Sequence, residues 1–148
     1  MTLVPLTFAC LTYIAGLTQL PVDLLDGLRR VEGGQVGAVT ANKAPDGHVT
    51  SWDIGPFQIN DATWLKSVTL AWRQPSERET FALLRDNGCA NALAAAAIFR
   101  SYLNEAHGNY GVAVGYYNSH TPLQAERYRY HFILALRRLR EERGGHAR

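Results

Sequence analysis

The sequence predicts a mainly α-helical, α+β single domain with a minor β region. Apolar side chains recur at helical spacing through most of the chain; Leu25, Leu28 and Glu32, for example, share one helix face. Residues 33–60 are instead rich in glycine and alternate polar with apolar positions, which favours loop with one small hairpin near residues 38–58. With 148 residues, 47% hydrophobic and 19% charged, the chain can bury one core and does not resemble a disordered protein.

Helices are predicted, in order, over about residues 9–20 and 22–32, in a short segment capped by Asp61, over Glu77–Leu84, from Cys89 to about Ala106, over Tyr110–Tyr117, and from Pro122 onward. Pro21 stands near the start of the second helix, and Gly33 and Gly34 end it. Asn87 is placed to cap the fifth helix, which stops at Gly108. Four consecutive alanines in that helix let neighbours approach closely, so we expect it to be central.

The first 22 residues are apolar and contain no Lys or Arg, so two interpretations compete. A secretory signal requires a positive n-region and an uninterrupted apolar run, and neither is present. The stretch is also too broken for a transmembrane helix. We favour a first structural helix, with residues 1–9 as either a signal remnant or an N-terminal extension. Its buried face is predicted to hold Cys10, Leu11, Ile14 and Leu17.

Basic residues crowd the C-terminus although the net charge of the chain is only +2. The arginines concerned are Arg137, Arg138, Arg140, Arg143 and Arg148, partly offset by Glu141 and Glu142. The favoured interpretation is a solvated face of the last helix followed by a basic flexible tail over residues 141–148, rather than a dedicated site for an anionic partner. No interleaving of basic and aromatic residues indicates nucleic acid. We expect a monomer.

Cys10 and Cys89 have no CxxC spacing, which excludes zinc ribbons and redox motifs. They are either two buried thiols or one disulfide, and the residues alone leave this open. His107, His120 and His131 show no ligand-like spacing, and HExxH is absent, so we expect no metal. GxSxG, P-loop and GxGxxG sequences are also absent, so neither nucleophilic serine chemistry nor a nucleotide cofactor is predicted.

Glu32 is the strongest candidate for chemistry. A carboxyl group on an apolar stripe is costly to ionise, so its pKa is expected to rise toward the range useful for donating a proton. Gly33 and Gly34 leave it beside open space, as expected of a glycosidase acid. The alternative is a helix-terminal Glu that extends into solvent or pairs with Arg29 or Arg30.

The segment Asp53–Asn60 supplies a second candidate region. Gly55, followed by Pro56, allows the backbone to approach a ligand, and the amide of Gln58 can bond a sugar substituent. Asp53 is expected to stabilise the loop rather than to act as a nucleophile.

A third candidate cluster is Gly115–Ser119. It is either a helix C-terminus with Asn118 as its cap, or a wall in which Tyr117 stacks on a sugar and Asn118 bonds an N-acetyl group. Tyr128 and Tyr130 form a further group that by periodicity is more often core or rim. The three tryptophans are at least as compatible with packing as with a saccharide cleft.

Three segments in this order resemble the motifs of the soluble lytic transglycosylase family: Val31-Glu32-Gly33-Gly34, Asp53–Asn60 and Tyr117-Asn118. The similarity is to the small members that accompany type III, type IV, conjugation or pilus machineries. It implies a lysozyme-like domain over residues 10–140 and a periplasmic or secreted location. In this subgroup an early cysteine commonly matches a second one before the Ala-rich helix, which implies a Cys10–Cys89 disulfide.

The resemblance assigns roles to individual residues. Glu32 matches the catalytic acid/base, Gln58 the glutamine of the second motif, and Tyr117 and Asn118 the third motif, which contacts substrate. Tyr128 matches a downstream tyrosine, with Tyr130 as a competitor for that place.

The chain departs from the family pattern at three places. Gly33 replaces the usual serine and removes a hydroxyl near the acid. Pro56-Phe57 replaces Leu-Met, so Phe57 is predicted to shape the cleft wall with Gly55 as a structural residue. Tyr116 replaces the alanine of the third motif.

The expected activity is cleavage of peptidoglycan glycan strands between N-acetylmuramic acid and N-acetylglucosamine, with formation of a 1,6-anhydro ring. A single carboxyl group suits this reaction, whereas ordinary glycosidases use two. No cofactor is needed. Components of a secretion, conjugation or pilus machine are further expected partners. The alternatives are a hydrolase of the same fold and an inactive wall-binding scaffold module.

Overall fold

The computed structural model describes residues 2–146 of the chain. Its elements, in chain order, are α1 (Phe8–Thr18), α2 (Val22–Glu32), β1 (Val39–Lys43), β2 (Val49–Ile54), β3 (Ile59–Asn60), α3 (Asp61–Ala71), α4 (Glu77–Asp86), α5 (Gly88–Glu105), α6 (Tyr110–Asn118) and α7 (Pro122–His146). The described residues thus form a mainly helical protein with one small antiparallel sheet in the order β1-β2-β3. The predicted fold class, mainly α with a minor β region, is confirmed. Among the described residues, no helix has the length and apolar character needed to cross a membrane.

The described chain divides into two compact units. The first contains residues 2–11 and 32–95, and the second contains residues 12–31 and 96–146. Each unit is therefore discontinuous in sequence, and α1, α2 and α5 each contribute residues to both.

The sheet belongs to the first unit and places the segment after Ile54. β1 and β2 form an antiparallel hairpin in which Val39 pairs with Ile54, with a bulge near Asn42 and Lys43. β2 then pairs with β3 through Ile54 and Ile59. The four residues between these partners must reverse the chain within one tight turn, so residues 55–58 are held at the end of the sheet. The hairpin predicted near residues 38–58 is confirmed.

The helix caps partly follow the sequence prediction. Asn87 caps α5, because its Oδ1 accepts the N–H of Ala90 at 3.0 Å. The cap of α3 is Asn60 and not Asp61, because Asn60 keeps extended backbone angles and its Oδ1 accepts the N–H of Thr63 at 3.1 Å. Asp61 is instead the first helical residue, and its carboxylate accepts the N–H of Trp52 at 2.9 Å.

The N-terminal segment is tied to the turn between α4 and α5. Val4 forms a parallel bridge with Asn87. The N–H of Val4 donates to the carbonyl of Asp86, and the carbonyl of Val4 accepts the N–H of Gly88. Cys10 and Cys89 form the disulfide that the resemblance implies, with their Cα atoms 5.9 Å apart. Residues before α1 are therefore part of the packed first unit, and disulfides of this kind persist in oxidising compartments.

Helix α1 has the buried face that was predicted, with one exception. Leu11 and Ile14 are buried, and Cys10 is half-buried. Leu17 is 60% exposed, so its predicted burial is wrong. At three residues from Ile14 and six from Leu11, Leu17 lies on the edge of the stripe, where the neighbouring chain decides whether a residue is covered.

The second unit is held by a charged network between α2 and α7. Asp26 is buried and accepts hydrogen bonds from Arg29, Arg30 and Arg143. Arg143 also pairs with Asp23. Because α7 continues to His146, residues 141–146 of the predicted tail are helical, while residues 147–148 lie outside the described part of the chain.

Candidate active site

Glu32 is the last residue of α2 and lies half-buried. Leu25 and Leu28, on the same helix face, are fully buried, so the predicted apolar stripe is confirmed. Gly33 follows with a φ of 67°, the left-handed conformation in which helices commonly terminate at glycine. The side chain of Glu32 therefore sits where a buried stripe meets the end of the helix. The raised pKa expected there stays a prediction.

Gly34 brings the end of α2 against the turn at residues 55–58. A Cβ atom on Gly34 would overlap the carbonyl oxygen of Gly55 and would lie 2.6 Å from Nε2 of Gln58. Only glycine permits this approach, because any larger residue would displace backbone atoms. The first and second sequence motifs are thus in direct contact within the first unit.

The turn itself is closed by Gln58. Its backbone N–H donates to the carbonyl of Gly55 at 3.1 Å, and its side-chain Nε2 donates to the same oxygen at 3.0 Å. Gln58 adopts a φ of 51°, which is uncommon for a residue with a side chain. The side-chain amide is half-buried and carries a second N–H and an acceptor oxygen. This is the chemistry that an N-acetyl or hydroxyl group of a sugar requires.

Asn91 is the supporting residue that sequence reasoning missed. Its side chain is fully buried on α5, accepts the N–H of Phe57 at 2.9 Å and donates to the carbonyls of Ile54 and Leu84 at 2.9 and 3.0 Å. Gly55 packs on it, since a Cβ there would lie 2.5 Å from Nδ2 of Asn91. The sequence feature that could have indicated this role is an asparagine within an alanine-rich helix, because a buried amide needs hydrogen-bond partners.

Phe57 is not part of a cleft wall. Its side chain is 0% exposed and lies in the core of the first unit, so the prediction that it shapes the substrate cleft is wrong. The turn at residues 55–58 needs an apolar anchor beneath it, and Phe57 supplies that anchor. The absence of a side chain at Gly55 lets the backbone pack closely against Asn91 and Leu84, which agrees with its predicted structural role.

Asp53 acts within the sheet, as its predicted loop-stabilising role requires. It pairs with Asn60 across β2 and β3, and its Oδ1 accepts a hydrogen bond from Nδ2 of Asn60 at 2.9 Å. The same amide nitrogen also donates to Oγ of Ser51 at 3.0 Å. These bonds keep β3 in register and so hold the turn that carries Gln58.

The residues of the third motif lie in the second unit. Tyr117 is half-buried on α6, and its ring centroid is 6.4 Å from that of Tyr128, which is 7% exposed on α7. Tyr130 is 61% exposed instead, so of these two tyrosines it is Tyr128 that is buried and near Tyr117. Its match to the family's downstream tyrosine stays a prediction. Asn118 is exposed at the end of α6, where Ser119, not Asn118, is the C-cap.

A further aromatic cluster, which was not predicted, adjoins Tyr117 through Tyr102, whose ring centroid is 6.4 Å from that of Tyr117. Tyr116 stacks on His120 with ring centroids 4.2 Å apart, and Tyr102 contacts both rings edge-on. Nε2 of His120 lies 2.7 Å from a carboxylate oxygen of Glu105. The stacking on His120 accommodates the large ring of Tyr116 at the end of α6.

Within the described residues, no group of three or more His, Cys, Asp or Glu side chains is close enough to hold a metal ion.

In comparisons with known proteins, no family model, no curated protein and no solved structure matched this chain. The likeness to lytic transglycosylases therefore rests on the three ordered motifs.

Proposed function

We propose that the protein is a peptidoglycan lytic transglycosylase with Glu32 as its acid and base. The observation that carries this proposal is the contact of Gly34 with Gly55 and Gln58. Two segments that lie some twenty residues apart in the chain, and that match two successive motifs of the family, meet in the first unit. A glutamate and an amide are thereby held in one region.

The half-burial of Glu32 supports its role as a proton donor. Leu25 and Leu28 exclude water from one side of the stripe on which it lies, and reduced hydration disfavours the carboxylate. A carboxyl group that remains protonated near neutral pH can donate to a leaving oxygen. The open end of the helix after Gly33 leaves room for a sugar to approach.

In the proposed reaction, Glu32 protonates the bridging oxygen between N-acetylmuramic acid and N-acetylglucosamine. The bond between C1 of muramic acid and that oxygen breaks, and the acetamido group of the substrate stabilises the cation. The carboxylate of Glu32 then takes the proton from the C6 hydroxyl as O6 bonds to C1. The product is a 1,6-anhydro sugar, Glu32 is protonated again, and no water is consumed.

Gln58 is proposed to bond the substrate through its side-chain amide, which the turn already orients. The resemblance assigns further substrate contacts to Tyr117, Asn118 and Tyr128. These stay predictions that rest on the third motif and on the contact between the two tyrosine rings.

The disulfide between Cys10 and Cys89 supports a periplasmic or secreted location, where thiols are oxidised and peptidoglycan is present. There the enzyme would open the wall locally for a secretion, conjugation or pilus apparatus.

The test is digestion of purified sacculi by the wild-type protein and by Glu32→Gln, with the products read by mass spectrometry. We expect anhydro products, each one water lighter than a hydrolysis product, from the wild type. Glu32→Gln should retain the fold and lose at least about a thousandfold in rate, since the proton donor is gone. Glu126→Gln, an exposed glutamate on α7, is the matched control and should cleave at the wild-type rate.

The rival functions give different results in this experiment. A hydrolase of the same fold would release products without the anhydro ring. An inactive wall-binding module would bind sacculi with or without Glu32 and release nothing. Wild-type turnover that persists in Glu32→Gln would refute the assignment of the acid.

A further inference from the structure

A groove of about 640 Å³ lies in the second unit between α2 and α7. Its lining includes the basic residues Arg30, His131 and Arg138 and the apolar residues Val31, Leu134 and Ala135. None of the residues assigned to the reaction lines it. The lining therefore combines permanently charged guanidinium groups with apolar side chains.

The residues that line the groove include two permanent cations, Arg30 and Arg138, but only one carboxylate, that of Glu142. Glu142 accepts two hydrogen bonds from Arg30, at 3.1 and 2.8 Å, and these bonds raise the pKa of Arg30. The Glu142 side chain is 57% exposed. An ion pair with so exposed a partner is worth little in water, so a ligand anion can exchange with Glu142 at small cost.

The lining favours one class of ligand. An arginine fork recognises a carboxylate bidentately, and Arg30 already shows this geometry with Glu142. Val31, Leu134 and Ala135 would cover the methyl and methylene groups of a short peptide. The residues lining the groove include no Tyr, Trp or Phe on which a sugar ring could stack. A carboxylate-rich peptide therefore fits better than a bare glycan.

We propose that this groove binds the acidic stem peptide of peptidoglycan. The inference rests on the proposed function, which makes a stem-bearing glycan strand the substrate. In such a strand, carboxylates of D-glutamate and diaminopimelate alternate with apolar methyl and methylene groups. α2 also links the two features along the chain, because Arg30 and Val31 line the groove and the next residue is Glu32.

The test measures binding without turnover. The probe is the N-acetylated tripeptide L-Ala-γ-D-Glu-meso-diaminopimelate, titrated by calorimetry or NMR into the full chain. Arg138→Gln should weaken binding about fivefold to tenfold, the loss expected for one charge-assisted contact. Arg137→Gln, its exposed neighbour that does not line the groove, is the matched control and should bind like the wild type.

Glu142→Gln should change the affinity for the tripeptide in the opposite direction to Arg138→Gln. It removes the exposed carboxylate that pairs with Arg30 within the groove and leaves the Arg30–Asp26 bond in place, so it should tighten binding of the same probe by about twofold to fivefold. The probe with its carboxylates amidated should not bind. The proposal would be overturned if the tripeptide did not bind, or if Arg138→Gln and Arg137→Gln weakened binding equally. A groove that receives an acidic segment of another protein instead would give the first of these results.

The two proposals can fail separately. Glu32→Gln should bind the tripeptide as well as the wild type, because it removes only the proton donor. If sacculi are cleaved to anhydro products while the tripeptide does not bind, the groove is not a stem-peptide site and the enzymatic assignment stands. If the tripeptide binds as described while sacculi are not cleaved, the enzymatic assignment fails and the groove assignment stands.

Discussion

Gly34 is the single residue on which the contact between the first two motifs depends most directly. It has no side chain to separate the end of α2 from Gly55 and Gln58. A larger residue at position 34 would therefore push the end of α2 away from the turn that carries Gln58. Gly33, by comparison, has open space around its Cα, and its constraint is the positive φ of the chain.

We predict that Gly34→Ala impairs both stability and activity. The added Cβ would overlap the carbonyl of Gly55, so the turn at residues 55–58 must move, at a cost of about 1–3 kcal/mol in the free energy of unfolding. Gly16→Ala in α1 is the matched control, because a Cβ there meets nothing within 4 Å. It should stabilise the protein by about 0.5–1 kcal/mol. Urea unfolding and sacculus digestion measure both effects.

Gly34→Ala with wild-type stability and activity would show that the contact is not needed. At this scale the sequence could place Glu32 at the end of a helix and Gln58 in a glycine-containing loop, because neighbouring residues mark both positions. Their roles in a reaction stay predictions. It could not predict that Phe57 is buried. Its backbone N–H bonds Asn91, which lies 34 positions further along the chain, so the placement of Phe57 depends on a distant segment.

Asn91 shows how elements are joined around the turn. Its one side chain bonds three backbone groups, those of Ile54 at the end of β2, Phe57 in the turn and Leu84 in α4. α5 thus holds the strand, the turn and a neighbouring helix together. A backbone group in the turn cannot pair within a regular ladder, so a buried amide takes that place.

We predict that Asn91→Ala lowers the free energy of unfolding by about 3 kcal/mol, because it leaves buried N–H and C=O groups without partners and opens a cavity. Urea unfolding followed by circular dichroism measures the change. Asn104→Ala, at an exposed position of the same helix, should change stability by less than about 0.5 kcal/mol. Equal values for the two variants would contradict the role assigned to Asn91.

The helices were predictable because their signals are local. Apolar spacing marked α2, Asn87 marked the start of α5, and Pro122 marked the start of α7. The cap of α3 was misplaced by one residue, because Asn60 and Asp61 are both good caps and only the pairing of Asn60 with β2 decides between them.

On the scale of the whole chain, the Cys10–Cys89 disulfide joins two residues of the first unit and closes a loop between positions 79 apart in the sequence. That loop contains the sheet, Glu32 and the turn carrying Gln58. Closing it restricts the unfolded chain far more than the folded one. The bond joins the same two regions that the bridge between Val4 and Asn87 joins.

We predict that replacing both cysteines by serine lowers the free energy of unfolding by about 2–4 kcal/mol. Urea unfolding of the wild type with and without dithiothreitol should show the same loss, whereas the double variant should not respond to the reductant. A wild-type protein whose midpoint is unchanged by full reduction would contradict this account.

The sequence by itself determined the helical class, the position of the hairpin and the order of the three motifs, because periodicity, caps and short motifs act over a few residues. Tertiary structure alone decided that Gly34 touches Gly55 and Gln58, that Asn91 supports the turn, and that Arg30 and Arg138 share a groove. These outcomes depend on which distant segments meet. Local residue preferences do not specify contacts between distant segments. Such contacts depend on packing and on the pairing of buried polar groups.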